Sequence, residues 1–276
     1  MSNLTDLISA GGGSASYPTI FLSKSQTWVP PQDGNIMIHV IGAGGSGSAH
    51  IYAFVTGGGA GGYCKKNSLA VTTSGSFTVV VGAGGASVFN GGNGATTGNA
   101  GGNTTVAGTG LSSTLTANGG AAGVTSGSNP TGGTASNGDV NTTGGGSAYA
   151  MGGGAVGLTG TGNSGYQLGN LWMGGDCDVI GNLWSSSLGQ IAGGKGGNGF
   201  NVENRTVYAN NSSSVDAEPL AGGGTSWNVA ADADYYSVAG HASIGGGGGG
   251  NRYNNQVNRA ISGRGGEGIV VIQYIP

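Results

Sequence analysis

Apolar residues are spread unevenly along this chain. They gather in short runs near both ends and thin out through a long middle of Gly, Asn, Thr and Ser. From Tyr17 to about Leu115 the runs are Pro18-Thr19-Ile20-Phe21-Leu22, Gln26-Thr27-Trp28-Val29-Pro30, Ile36-Met37-Ile38-His39-Val40-Ile41, the stretch from Tyr63 to Val71, and Ser76-Phe77-Thr78-Val79-Val80-Val81. Each has strand length, is rich in β-branched and aromatic residues, and is bounded by Gly, Pro or Asn-type turn signals, a pattern that predicts β-strands. The strongest strand pattern closes the chain: Gly268-Ile269-Val270-Val271-Ile272-Gln273-Tyr274-Ile275 is nearly continuously apolar and belongs in the centre of a sheet. Its expected partners are the Ile36–Ile41 and Phe77–Val81 strands, so the first and last segments of the chain would share one sheet.

The middle follows a different rule. Tracts such as Gly57-Gly58-Gly59-Ala60-Gly61-Gly62, Gly119-Gly120-Ala121-Ala122-Gly123, Gly144-Gly145-Gly146 and Gly245 to Gly250 alternate with segments of mixed composition. A flexible linker would not be interrupted so often. The ordered alternative is the threefold extended helix of the polyproline type, with about 3.1 Å rise per residue and no internal hydrogen bonds. Only chains without Cβ can pack such helices side by side and pair N–H with C=O between neighbours. Packed as a bundle, they satisfy the backbone without a hydrophobic core.

One helical pattern stands at the start. Asn3 can cap, and Leu4, Leu7 and Ile8 fall at i, i+3 and i+4 on one face. A helix this short cannot stand alone, and Gly11-Gly12-Gly13-Ser14 tether it, so this face is expected to dock on another protein.

Composition narrows the functional classes. Glycine supplies 66 of 276 residues, more than three times the usual share of about 7%. Only 6 prolines occur and no strict Gly-X-Y period runs through the chain, which excludes collagen. Charged residues are 7% of the chain, and 8 basic against 11 acidic side chains leave a net charge of −3. That is no electrostatic footprint for nucleic acid. No segment approaches a membrane span and the start lacks the basic and apolar regions of a secretory leader, so no membrane insertion and synthesis in a cytoplasm are expected. Cys64 and Cys177 lie far apart without partner spacing, which fits a reducing compartment better than a disulfide framework.

Motifs for chemistry fail on context. Gly42-Ala43-Gly44-Gly45-Ser46-Gly47 spells G-x-G-x-x-G after a strand, but no helix pattern follows and no Asp or Glu occurs between Asp33 and Asp139 to hold a ribose. Asp176-Cys177-Asp178 and Asp232-Ala233-Asp234 do not continue as calcium loops. His39, His50 and His241 have no zinc spacing, and no G-x-S-x-G elbow is present. No catalytic residue, cofactor or metal is assigned.

The run Trp28-Val29-Pro30 to Val40-Ile41-Gly42-Ala43-Gly44-Gly45, then Gly58-Gly59-Ala60-Gly61-Gly62-Tyr63, Val81-Gly82-Ala83-Gly84-Gly85 and the ending Gly265-Gly266-Glu267-Gly268-Ile269-Val270-Val271 resemble the glycine-rich domain proteins of tailed bacteriophages. The resemblance covers Thr27 to the C-terminus. The alternation of glycine tracts with aromatic connections is similar to the tail-fibre tip adhesins of T-even-type phages, in which a bundle of polyglycine-type helices presents loops to the host. The resemblance implies a virion protein of the phage tail, made in the host cytoplasm, with other tail proteins and a host cell-surface glycan or outer-membrane protein as partners. It also implies a homo-oligomer, with a trimer favoured, and assigns the docking role to Leu4, Leu7 and Ile8.

The expected fold is mainly β. A β-sandwich of the N-terminal strands and the C-terminal strand, residues 17–117 plus 268–276, carries an inserted polyglycine II-type bundle at 118–267, with residues 1–16 as docking peptide and tether. The expected function is a tail fibre or distal tip protein that binds the host surface through exposed aromatics, the residue types enriched at binding hot spots. The candidates are Tyr166, Trp172, Trp184, Tyr208, Trp227, Tyr235, Tyr236 and Tyr253. The alternative is a purely structural joining or decoration subunit without receptor affinity.

Overall fold

A computed structural model describes residues 17–50, 55–91, 94–126, 128–147, 152–153, 162, 164, 166–168, 171–173, 182–184, 191–192, 237–238, 245–252 and 260–276. These residues are mainly β and contain no α-helix or 3₁₀-helix. Two five-stranded antiparallel sheets form the base. The first runs in the order Thr19–Leu22, Ile269–Ile275, Gly34–Ile41, Tyr63–Val71 and Val140–Thr142. The second runs in the order Ala135–Ser136, Leu115–Ala117, Thr104–Gly108, Phe77–Val80 and Gln26–Trp28.

Alternation sends one side of each strand into a core shared by both sheets. Ile36, Ile38, Val40, Val270, Ile272 and Tyr274 of the first sheet meet Phe77, Val79, Val106 and Leu115 of the second in one buried cluster. Trp28 packs against Phe77 with ring centroids 5.4 Å apart. Each such fully buried side chain contributes about 1.5–3 kcal/mol. The C-terminal strand is central, as its apolar run predicts, and one of its neighbours is Gly34–Ile41. Its other neighbour is Thr19–Leu22 rather than Phe77–Val81, because Phe77 and Val79 approach the core from the opposite sheet.

The strands do not end in turns at one edge of the sheets; they continue as glycine tracts. Ile41 runs into Gly42, Gly62 into Tyr63, Ala117 into Asn118, Thr134 into Ala135, Thr142 into Thr143 and Gly268 into Ile269. Sheet and tract therefore alternate element by element, and the strands Ala135–Ser136 and Val140–Thr142 belong to the sheets although they lie within the glycine-rich middle.

The tract 42–47 shows how the glycines are ordered. Gly42 and Gly45 donate their N–H groups to Gly62 and Gly59 at 2.8 and 2.9 Å. Ala43 and Ser46 donate to Gly102 and Asn99, and Gly44 and Gly47 to Gly266 and Gly263. Residues three apart thus serve the same neighbour, the signature of a helix with three residues per turn. The carbonyls of Ala43, Gly44 and Gly45 accept from three further tracts, through Gly120, Gly85 and Gly248. The tract is surrounded on all sides by backbone. Added Cβ atoms on Gly120 and Gly153 would both lie 1.9 Å from a neighbouring carbonyl oxygen, on Gly59 and Gly145 respectively. Glycine is required here by close approach, and the tracts 42–48, 56–62 and 245–250 are buried throughout.

Candidate functional site

At the end of the bundle away from the sheets, the tracts turn back through connections. A buried polar knot ties three of them together. The Ser48 hydroxyl accepts from the N–H of Thr56 at 3.0 Å and donates to the carbonyl of Val124 at 2.8 Å. The Thr56 hydroxyl accepts from the N–H of Val124 at 2.7 Å. Ser48 and Thr56 are fully buried, so every hydroxyl and amide in the knot needs the partner it has.

Beyond the knot the connections form two small sheets. Ala49–His50 lies between Asn251–Arg252 and Ala95–Thr96. Ala260–Ile261 lies between Ser237–Val238 and Phe89–Asn90. The buried Asn90 amide joins them by donating to the carbonyls of Ala49 and Gly94. Segments far apart in sequence thus converge on one end of the molecule. Phe89 stands there with 53% of its surface exposed, its ring over Gly91, where an added Cβ would lie 2.8 Å from the ring edge. Its neighbour Val88 exchanges hydrogen bonds with Ser262 at 3.0 and 2.9 Å. Phe89 is an exposed aromatic that the sequence pattern did not single out; the Asn90-Gly91 pair beside it, a turn-type dipeptide, was the available signal.

The predicted contact residues divide into two groups. Tyr166 and Trp172 lie on the paired strands Tyr166–Leu168 and Leu171–Met173, and Trp184 on Asn182–Trp184, which pairs with Ile191–Ala192. Tyr208, Trp227, Tyr235, Tyr236 and Tyr253 lie outside the described residues, as do Leu4, Leu7 and Ile8. Ser237–Val238, directly after Tyr236, and Asn251–Arg252, directly before Tyr253, are both at the connection end.

A second polar cluster lies on the first sheet, on the face away from the shared core. His39 Nδ1 is 2.8 Å from the Tyr63 hydroxyl and Nε2 is 3.3 Å from Gln273 Oε1. An amide oxygen only accepts, so Nε2 carries the proton and Nδ1 accepts from Tyr63, the pattern of a neutral ring. Burial lowers the His39 pKa to about 3, against the opposing hydrogen bond that Nε2 donates to Gln273 and with help from the Lys65 charge. Burial also pushes the Tyr63 hydroxyl far above its ordinary range. The cluster is a sealed neutral network, suited to fixing strand register rather than to proton transfer near neutrality. Cys64, next along the strand, turns to the shared core on the opposite face as a free, buried thiol.

The G-x-G-x-x-G stretch offers no cradle for a phosphate. All six N–H groups from Gly42 to Gly47 are taken by carbonyls of neighbouring tracts.

The described residues therefore define a glycine-helix bundle raised on a two-sheet base, with two small connection sheets at its far end. The model of the glycine-rich domain family matches residues 20–275, and the chain belongs to that family. Comparison with curated proteins finds no match.

Proposed function

We propose that this chain is a tail component of a bacteriophage virion, a fibre or distal tip protein that attaches by its N-terminal segment and binds the host surface through the connections of its bundle. The observation that supports this reading is polarity. Thr19 pairs with Gln273 and Leu22 with Val270, while Gly268, just before the strand begins at Ile269, is joined to the bundle. Tyr17 therefore lies at the end of the sheets remote from the bundle, and the described connection strands lie at the other end. Tyr17 at one pole and the small connection sheets at the other suit an attached protein that reaches outward. Loops on a rigid scaffold are where binding surfaces are built.

The test is labelling of candidate host cells by the fluorescent full-length protein, with a copy lacking residues 1–13 beside it. Labelling of a host by both copies is expected. If neither copy labels any cell in the panel, the reading falls and the structural-subunit reading takes its place.

A further inference from the structure

The two sheets of the base have four edge strands, and three of them are protected. Gln26–Trp28 has three residues and runs into Val29-Pro30-Pro31. Ala135–Ser136 has two and is followed by Asn137 in the left-handed region, at φ 66°. Val140–Thr142 starts beside Asp139, whose carboxylate is paired with Lys66 at 2.7 Å. Short length, proline, irregular backbone and charge are the devices that keep a sheet edge from pairing with another chain. The fourth edge, Thr19–Leu22, is longer and reads Thr-Ile-Phe-Leu. No charged residue lies between Tyr17 and Ser23, and Tyr17 and Phe21 are 48% and 46% exposed.

Hydrogen bonding to the C-terminal strand fixes which backbone groups of this edge face outward. Tyr274 donates its N–H to the carbonyl of Pro18 at 3.0 Å, and the register that sets Thr19 against Gln273 places Pro18 directly opposite Tyr274. In an antiparallel pair, hydrogen-bonded and non-hydrogen-bonded positions alternate. Pro18, Ile20 and Leu22 therefore turn their backbone groups inward to the C-terminal strand, and Thr19 and Phe21 turn theirs outward. Among the described residues nothing pairs with the outward groups of Thr19 and Phe21. Pro18 does not guard the edge, because the N–H it lacks belongs to the inner side. The side chains of Ile20 and Leu22 are anchored in the shared core, so the strand is held in place with its outer edge open.

We propose that Thr19–Leu22 is a dimerisation edge, on which the same strand of a second copy of this chain pairs antiparallel about a twofold axis at Ile20. The strand is complementary to itself in this register. Thr19 meets Phe21 of the second copy and Phe21 meets its Thr19, so every outward N–H and C=O of the two residues gains a partner. The two Phe21 rings lie on the diagonal across the axis, within reach of each other. The paired segment carries no charge to repel its copy, and the two Lys24 residues fall at opposite ends of it. A self-complementary contact of this kind closes at two copies. The bundles then point in opposite directions, while both Tyr17 residues lie near the axis. One short strand from each copy makes a small interface, so the association is weak and depends on concentration. This rests on the strand geometry and stands independently of the virion reading.

Sedimentation velocity of the full-length protein over a wide concentration range tests this, with circular dichroism to show that each variant is folded. The average mass of the wild type is expected to rise with concentration toward twice the monomer value. Thr19→Pro removes one outward N–H, breaks no bond to the C-terminal strand and leaves the Phe21 ring in place; proline is tolerated where the N–H faces away from the sheet. It is expected to stay monomeric at all concentrations, and so is Phe21→Lys, which sets like charges across the axis. Val80→Lys, an exposed position on the second sheet, is expected to associate as wild type. A wild type that remains monomeric at all concentrations overturns the proposal and leaves the edge to a strand of another protein. Association of folded Thr19→Pro equal to that of wild type also overturns it, because pairing along this edge would then not be the contact. If Thr19→Pro does not fold, Phe21→Lys beside Val80→Lys gives the same comparison.

Discussion

A methyl group placed on Gly44 would sit 1.8 Å from the carbonyl oxygen of Gly246, a residue 202 positions further along the chain. Neither partner can yield, because each is held by its own backbone bonds: Gly44 donates to Gly266, and the Gly246 carbonyl accepts from Gly266. Long-range order in this part of the molecule is set by backbone touching backbone.

Gly44→Ala is therefore expected to destabilise by about 3 kcal/mol or more, at or beyond the upper end of ordinary overpacking, since relief requires moving main chain. Gly94→Ala is the matched control. Nothing lies within 4 Å of an added Cβ there, so a gain of about 0.4–1 kcal/mol from reduced freedom of the unfolded chain is expected. Urea denaturation of the two variants beside wild type separates these outcomes.

Much of this architecture was legible in the residues. The runs Ile36–Ile41, Phe77–Val81 and Ile269–Ile275 announce strands because β-branched side chains alternate or crowd there. Ordered glycine helices follow from a chain too poor in large apolar residues to fill a second core. The pairing of Thr19–Leu22 with the C-terminal strand was not legible, since choice of partner depends on which face each strand turns to the shared core. Ala135–Ser136 and Val140–Thr142 were missed because strands of two and three residues have no periodicity and exist only through their partners. At the connection end, Phe89 was overlooked because exposure is a property of the assembled loops and not of a Phe-Asn-Gly sequence.

His39 gives the sheets a dependence on pH. Its folded pKa of about 3 lies below the ordinary 6.5, so between these values the unfolded chain binds the extra proton and the folded chain does not. Stability is then fully present above about pH 6.5 and is lost as pH falls toward 3, at up to about 1.4 kcal/mol per pH unit from this residue. Denaturation curves at pH 7, 5.5 and 4.5 are expected to show the loss. His39→Gln, which cannot take up a proton, is expected to flatten it; an unchanged slope in that variant would assign the effect to the carboxylates.

Cys64 lies fully buried on Tyr63–Val71, and burial pushes its thiol up to about 12. The thiolate is the reactive form, so Cys64 should resist alkylation in the native protein and react rapidly in denaturant. Peptide mapping after iodoacetamide treatment reads this residue separately. Modification of Cys64 under native conditions would mean that the sheets open at this strand.

Thr56 offers the sharpest test of how the connection end is held. Its hydroxyl accepts the Val124 N–H at 2.7 Å, and its own N–H meets both Ser48 Oγ and the Val124 carbonyl at 3.0 Å. Thr56→Val keeps the shape and the backbone bonds but removes the acceptor, leaving a part-buried Val124 N–H without a partner. A loss of about 1 kcal/mol is expected, the low end of the cost of an unsatisfied amide because this one is only part-buried. The loss should be local, because the knot ties three tracts at their tips while the inner tracts remain joined along their length. Hydrogen exchange is thus expected to speed up at Val124 and in the adjoining connections, with the amides of Gly42 to Gly45 protected as in wild type. Equal acceleration throughout the bundle would instead show that its tip and its interior open as one cooperative unit.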